Sequence, residues 1–170
     1  MRLLLCGLLL LAGCGYSTGF RLPDDHATVG VEFFGNQSPV RDLEVDFHDY
    51  LTDAVSRVVH ARIVDPDEAD YVVRGEVLSY ARRRGIRSPD NVLLETGVRI
   101  AIRAELLEAP APGDPEGRPR TVRETRAATE SGYRLEEPLG EADARDRVLR
   151  NLADEVVIEL FGYLATQEAP

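Results

Sequence analysis

Hydrophobic and polar positions alternate most cleanly from Val92 onward. Val92, Leu94, Thr96, Val98, Ile100, Ile102, Ala104 and Leu106 share one parity, while Glu95, Arg99, Arg103 and Glu105 share the other. A period of two sustained this long predicts a strand with one buried and one wet face. At about 3.4 Å per residue it would span roughly 50 Å, so it should bend or project beyond its sheet. Tyr71 to Ala81 also reads as a strand, with Tyr71, Val73 and Val77 facing one way and Arg74, Glu76 and Tyr80 the other. Thr121 to Tyr133 is a weaker one, its Thr/Ala side interrupted by Arg123. Val29 to Phe34 and Arg62 to Val64 are short strands, separated by a helical pattern. In that pattern Leu43, Phe47, Tyr50, Leu51, Ala54, Val55 and Val58 form one face, with Ser38 as expected N-cap and Pro39 at the first helical position. From Glu141 a second amphipathic helix of about 25 residues carries Val148, Leu152, Val156, Leu160 and Leu164. The order β-α-β-β-β-α predicts an α+β fold, with two helices packed on one face of a small, mainly antiparallel four-stranded sheet. A single domain over 29–166 is expected, with a four-residue tail, 167–170. Residues 109–120, rich in Pro and Gly, read as an exposed hairpin connection.

The N-terminus changes this picture. Arg2, the apolar run Leu3–Leu11 and the small residues Ala12-Gly13 are the parts of a secretory signal over 1–13. The run is too short to span a bilayer, which needs about 20 apolar residues. Leu11-Ala12-Gly13-Cys14 resembles the lipobox of bacterial lipoproteins; an ordinary secretory signal that happens to hold a cysteine is the alternative. The lipobox reading implies cleavage between Gly13 and Cys14, acylation of Cys14, and a lipidated tether over 14–28. Several acyl chains anchor firmly where one would not. With Gly15 rather than Asp after the cysteine, lipoprotein sorting implies the outer membrane, periplasmic side.

The chain of 170 residues has a formal net charge of −10, and all 20 of its basic residues are arginine. Loss of residues 1–13 would leave 19 arginines against 30 acids. That acidic surplus argues against nucleic-acid binding. The only cysteines, Cys6 and Cys14, lie in the leader and at its cut point, which excludes a disulfide framework. His26, His48 and His60 follow no metal-ligand spacing, although Glu44 and His48 are one helical turn apart. The acidic turn Asp65–Asp70 lacks the glycine that a calcium loop needs. No nucleophile elbow, phosphate loop or dinucleotide fingerprint occurs. These readings predict a non-enzyme without cofactor or metal. One cluster stands out: Arg82, Arg83, Arg84 and Arg87, four positive charges within six residues. Guanidinium forks suit phosphate, so the cluster is a candidate contact for an anionic ligand or a partner's acidic loop. A charged strand end that deters edge pairing explains it equally well.

Cys14-Gly15-Tyr16 after the lipobox is followed by the Val-x-Val-x-Phe-Phe strand, a helix ending in Arg62-Ile63-Val64, Ala69-Asp70, Val72-Val73-Arg74-Gly75-Glu76-Val77 and the long alternating strand. In that order these segments resemble the lipopolysaccharide-assembly lipoprotein family, LptE, over nearly all of the chain after the leader. The resemblance implies two helices on a four-stranded sheet, and a plug inside a large outer-membrane β-barrel of the LptD type. It also implies contact with lipopolysaccharide, for which Arg82 to Arg87 is suitably placed between two strands. The tip at 109–120 would enter the barrel. A regulatory lipoprotein that activates a cell-wall synthase, or serves another export complex, is the rival reading.

Overall fold

The computed structural model describes Gly19, Phe20, Leu22, residues 27–110 and residues 117–167. Gly13, Cys14, the rest of 1–18, residues 21 and 23–26, the tip at 111–116 and residues 168–170 lie outside the described residues; of the expected 14–28 tether, Phe20 bridges Val59, Leu22 and Ala27 are buried and Thr28 opens the first strand.

The elements are β1 (Thr28–Val31), β2 (Gly35–Asn36), α1 (Leu43–Val58), β3 (Arg62–Ile63), a 3-10 turn (Pro66–Glu68), β4 (Tyr71–Arg87), β5 (Leu93–Glu108), β6 (Arg120–Arg134) and α2 (Gly140–Gln167). They build one six-stranded mixed sheet in the order β3-β1-β4-β5-β6, with β2 beside β4. The four-stranded, mainly antiparallel sheet expected from the sequence is corrected in two respects. β1 runs parallel to β3 and to β4 because α1 carries the chain back to its starting end before β3 forms. The expected 29–34 strand stops at Val31, opposite Val73, and a second short piece, Gly35–Asn36, pairs further along β4 with Gly35 opposite Glu76. Only β4, β5 and β6 form antiparallel hairpin pairs.

α1 starts at Leu43, four residues after Pro39, because the 36–42 segment is held as a loop. The Asn36 amide donates to the Val40 carbonyl at 2.8 Å, its oxygen accepts from the Ser38 N–H at 2.9 Å, and Asp42 takes a left-handed φ of 62°. Both helices cover one sheet face, as the pattern predicts: α2 lies on β5 and β6, and α1 on β1, β2 and β4. They run parallel, with Arg145 beside Asp46 and Arg57 beside Asp154. The core between the layers takes Phe47, Leu51 and Val55 from α1, and Leu149, Leu152, Val156 and Phe161 from α2. From the sheet it takes the even β5 positions Val98 to Leu106, all fully buried. That alternation is the one read from the sequence.

β4 does not keep its phase. Val77 pairs with Ile102 and Ser79 with Ala101, so Leu78 is an extra residue in a bulge. Past the bulge Tyr80 and Arg82 stand opposite Ile100 and Val98, on the helix-covered face. The expected placement of Tyr80 on the opposite face from Tyr71 is therefore overturned: one inserted residue flips everything after it. β4 also runs on through the arginine cluster to Arg87, so the cluster lies within a strand rather than beyond one.

Candidate functional site

The arginine cluster is the sequence-derived site, and the strand distributes it over two faces. Arg82 points to the helix side. Its Nη2 donates to Glu141 Oε2 at 2.7 Å and its Nε to Oε1 at 3.3 Å. Glu141 sits in the first turn of α2 and also accepts from Tyr80 Oη and Tyr133 Oη, both at 2.9 Å. One carboxylate thus ties the start of α2 to β4 and β6. Burial alone would raise the Glu141 carboxyl, but the donors Tyr80, Arg82 and Tyr133 outweigh it and hold it below the ordinary glutamate range. Burial, then the hydrogen bond to Glu141, pushes both tyrosine hydroxyls up.

Arg83 points to the uncovered face. It crosses Gly97 and Gly132, which face each other on β5 and β6. A Cβ on Gly132 would come within 3.3 Å of its Nη2, and one on Gly97 within 3.3 Å of its Nε. The side chain lies in that trough, 3.4 Å from both Glu95 and Glu130. Arg87 donates to the Asn91 carbonyl at 2.9 Å across the hairpin turn, and Arg84 is exposed. The structure therefore does not bring the four guanidinium groups to one point. Arg82 and Arg83 are held by the chain's own carboxylates, while Arg84 and Arg87 stay at the hairpin surface. The sequence missed this because the neutralising residues Glu130 and Glu141 are distant in the chain.

The uncovered face of β4–β6 continues the pairing. Arg74 meets Glu105 at 3.1 Å, and Arg103 meets Glu76 at 3.1 Å and Glu124 at 3.3 Å. At the end of the sheet that holds the β4–β5 turn, apolar side chains are exposed at Ile86, Val92, Leu94, Leu135 and Leu139. Arg123 lies on the covered face, as its parity requires, and its guanidinium rests 5.3 Å from the Tyr163 ring.

His48 is half-buried with Phe33 stacked on it at 4.0 Å, and Glu44 accepts from the Asn36 amide instead of turning to His48. No group of three or more metal-ligating side chains occurs among the described residues. His26 lies outside them.

The two ends of the body differ. Phe20 bridges Val59, donating to the Val58 carbonyl at 2.8 Å, while its own carbonyl accepts from the His60 N–H at 2.9 Å. The chain therefore enters where α1 ends, and Phe20 also lies beside Gly162 near the end of α2. Ala109, where the Pro/Gly-rich connection leaves β5, donates to the Asp70 carbonyl at this same end. The β4–β5 hairpin turn is at the opposite end, beside the start of α2, where Leu135 donates to the Leu94 carbonyl.

No protein-family model matches the sequence. No curated protein matches it either. Solved structures do. A lipoprotein from Caulobacter crescentus is 18% identical with a TM-score of 0.50, the match covering 81% of this chain and 93% of that one. A Xanthomonas campestris protein of family DUF330 is 13% identical with a TM-score of 0.54, covering 89% and 96%. PelC from Paraburkholderia phytofirmans, a dodecamer, is 16% identical with a TM-score of 0.50, covering 85% and 96%. At these identities the likeness is one of fold, and the fold is one that bacterial lipoproteins adopt.

Proposed function

We propose that this chain is a non-catalytic outer-membrane lipoprotein, anchored through Cys14 on the periplasmic side, that plugs and supports an LptD-type β-barrel in lipopolysaccharide assembly. The observation that carries the reading is the shared end. The chain enters the body at Gly19–Phe20, the end from which the 109–119 connection leaves. Cys14 precedes Gly19 by five residues. Five extended residues reach about 18 Å, so a lipid on Cys14 keeps that end close to the bilayer. A body held so closely favours a partner embedded in the same membrane over a synthase across the periplasm. The long uncovered face of β4–β6, with Arg74, Arg83 and Arg103 already held by carboxylates, suits protein contact in a lumen. Direct contact with lipopolysaccharide phosphate would fall to Arg84 and Arg87.

PelC is a dodecamer, and the likeness to it favours one second reading, a subunit of a ring of several copies. A mild-detergent pull-down of the tagged full-length protein from its own membranes separates the two. Near-stoichiometric recovery of a large β-barrel is expected. Recovery of a ring component or a cell-wall synthase, with no barrel, would overturn the plug reading.

A further inference from the structure

β6 is the last strand of the sheet, and no described element lies beyond it. From Arg123 to Arg134 its pairing with β5 has no register shift, and it contains no proline. Edges of this length are usually blunted by bulges, prolines or a covering segment. The open edge of β4 beyond Val77 carries three register shifts, whereas β6 is closed at one end only. There Arg147 donates to the Gly132 carbonyl and to Ser131 Oγ, both at 3.1 Å. That contact places the Gly132 carbonyl on the open side. By the alternation of antiparallel pairs, the even-numbered residues of β6 then direct their backbone groups outward.

The same even positions carry the charges of the uncovered face, and about Ala128 they are self-complementary. Arg126 stands two residues before it and Glu130 two residues after. Arg126 also has a local deficit. It lies directly opposite Arg103 on β5, a like-charge juxtaposition, and forms no ion pair among the described residues. Glu124 does not relieve it, being engaged with Arg103.

We propose that β6 is a homodimer seam: two copies pair edge to edge, antiparallel, with Ala128 opposite Ala128. Arg126 of each copy then lies opposite Glu130 of the other, whose carboxylate shares Arg83 with Glu95 in its own copy and takes Arg126 as a second guanidinium. The sheet becomes continuous across the two-fold axis, and both arginines gain a carboxylate. Alanine at 127 and 128 leaves the centre of the seam free of bulky side chains. The opposing cost is the approach of the two copies of Glu155, each of which accepts from its own Thr129 Oγ1. This inference goes beyond the barrel reading and stands independently of it.

The test is disulfide trapping of the full-length chain in its own membranes, carrying Ala128→Cys. Facing residues of a hydrogen-bonded antiparallel pair have Cα atoms about 5.5 Å apart, within disulfide reach. Mild oxidation should give a covalent species of twice the chain mass, joined through the introduced cysteines. Adding Arg126→Glu should lower the yield roughly tenfold, and adding Glu130→Arg as well should restore it. Arg126→Gln, which removes the charge without reversing it, should fall between and guards against a folding defect. Absence of the self-crosslink, failure of the double exchange to restore it, or crosslinking to a different protein at this position would overturn the seam.

Discussion

Thr28 and Asp70 hold each other reciprocally. Asp70 Oδ2 accepts from the Thr28 N–H at 2.8 Å and from Thr28 Oγ1 at 2.7 Å, while Thr28 Oγ1 accepts from the Asp70 N–H at 3.0 Å. The contact joins the first residue of β1 to the residue just before β4, 42 positions later, and so sets the register of a parallel pair. Thr28 is buried, so losing the carboxylate leaves its donors poorly satisfied.

Asp70→Ala should therefore destabilise the fold by about 1–2 kcal/mol, read by denaturant unfolding. The Thr28 hydroxyl and then the Thr28 N–H hold the Asp70 carboxyl below its ordinary value. A depressed folded-state pKa contributes stability above the unfolded value, near 4, and that stability is lost as pH falls through the folded value. Between pH 7 and pH 3 the parent should lose more stability than Asp70→Asn; parallel curves would refute the assignment.

Much of this fold was legible in the residues, and the failures have physical causes. The phase of β5 and the core faces of both helices follow from side-chain periodicity, since burial on one face acts on every second or every third-to-fourth residue. The mixed sheet was missed because two- to four-residue strands leave no usable period. Tyr80 was misplaced because Leu78 has nothing in its side chain that announces a bulge. The arginine cluster was visible as charge but not as occupancy, because Glu130 and Glu141 meet it only through tertiary packing.

Glu141 should be the most sensitive polar residue outside the apolar core. Its removal would leave Tyr80 Oη, Tyr133 Oη and Arg82 without their shared acceptor and release the start of α2 from β4. Glu141→Ala should cost about 2 kcal/mol, with Tyr80→Phe and Tyr133→Phe each costing less. In hydrogen exchange, the first turns of α2 should lose protection while its middle keeps it. Uniform loss along α2 would argue against a local clamp.

Gly75 is required by close approach. A Cβ there would come 2.1 Å from the Arg103 carbonyl oxygen and 2.6 Å from Phe34 Cε1. Phe34 is buried and meets Phe47 edge-on at 5.0 Å, so it has little room to yield. Gly75→Ala should destabilise by about 2–3 kcal/mol, as overpacking does. Gly35→Ala, whose nearest contact is the Glu76 Cβ at 3.5 Å, should cost much less. Thermal unfolding of the two variants side by side checks this contrast.

The arginine cluster should separate into two classes when its members are removed one by one. Arg82 is committed to Glu141, whose hydrogen bond and charge raise its already high pKa, so Arg82→Ala should act through the α2 clamp and lower the unfolding midpoint. Arg83 spans Glu95 and Glu130 in the glycine trough, and Arg83→Ala should leave those two carboxylates unneutralised on the uncovered face. Arg84 and Arg87 face solvent near the exposed apolar residues Ile86 and Val92. If phosphate groups of lipopolysaccharide are contacted, removing this pair together should weaken binding to lipopolysaccharide-containing vesicles roughly tenfold, without moving the midpoint. The effect should fade as salt rises, because exposed guanidinium charges are screened. Equal loss of binding from Arg82→Ala at unchanged stability would show that the ion pair with Glu141 opens for the ligand, and the division into carboxylate-bound and solvent-facing arginines would then fail.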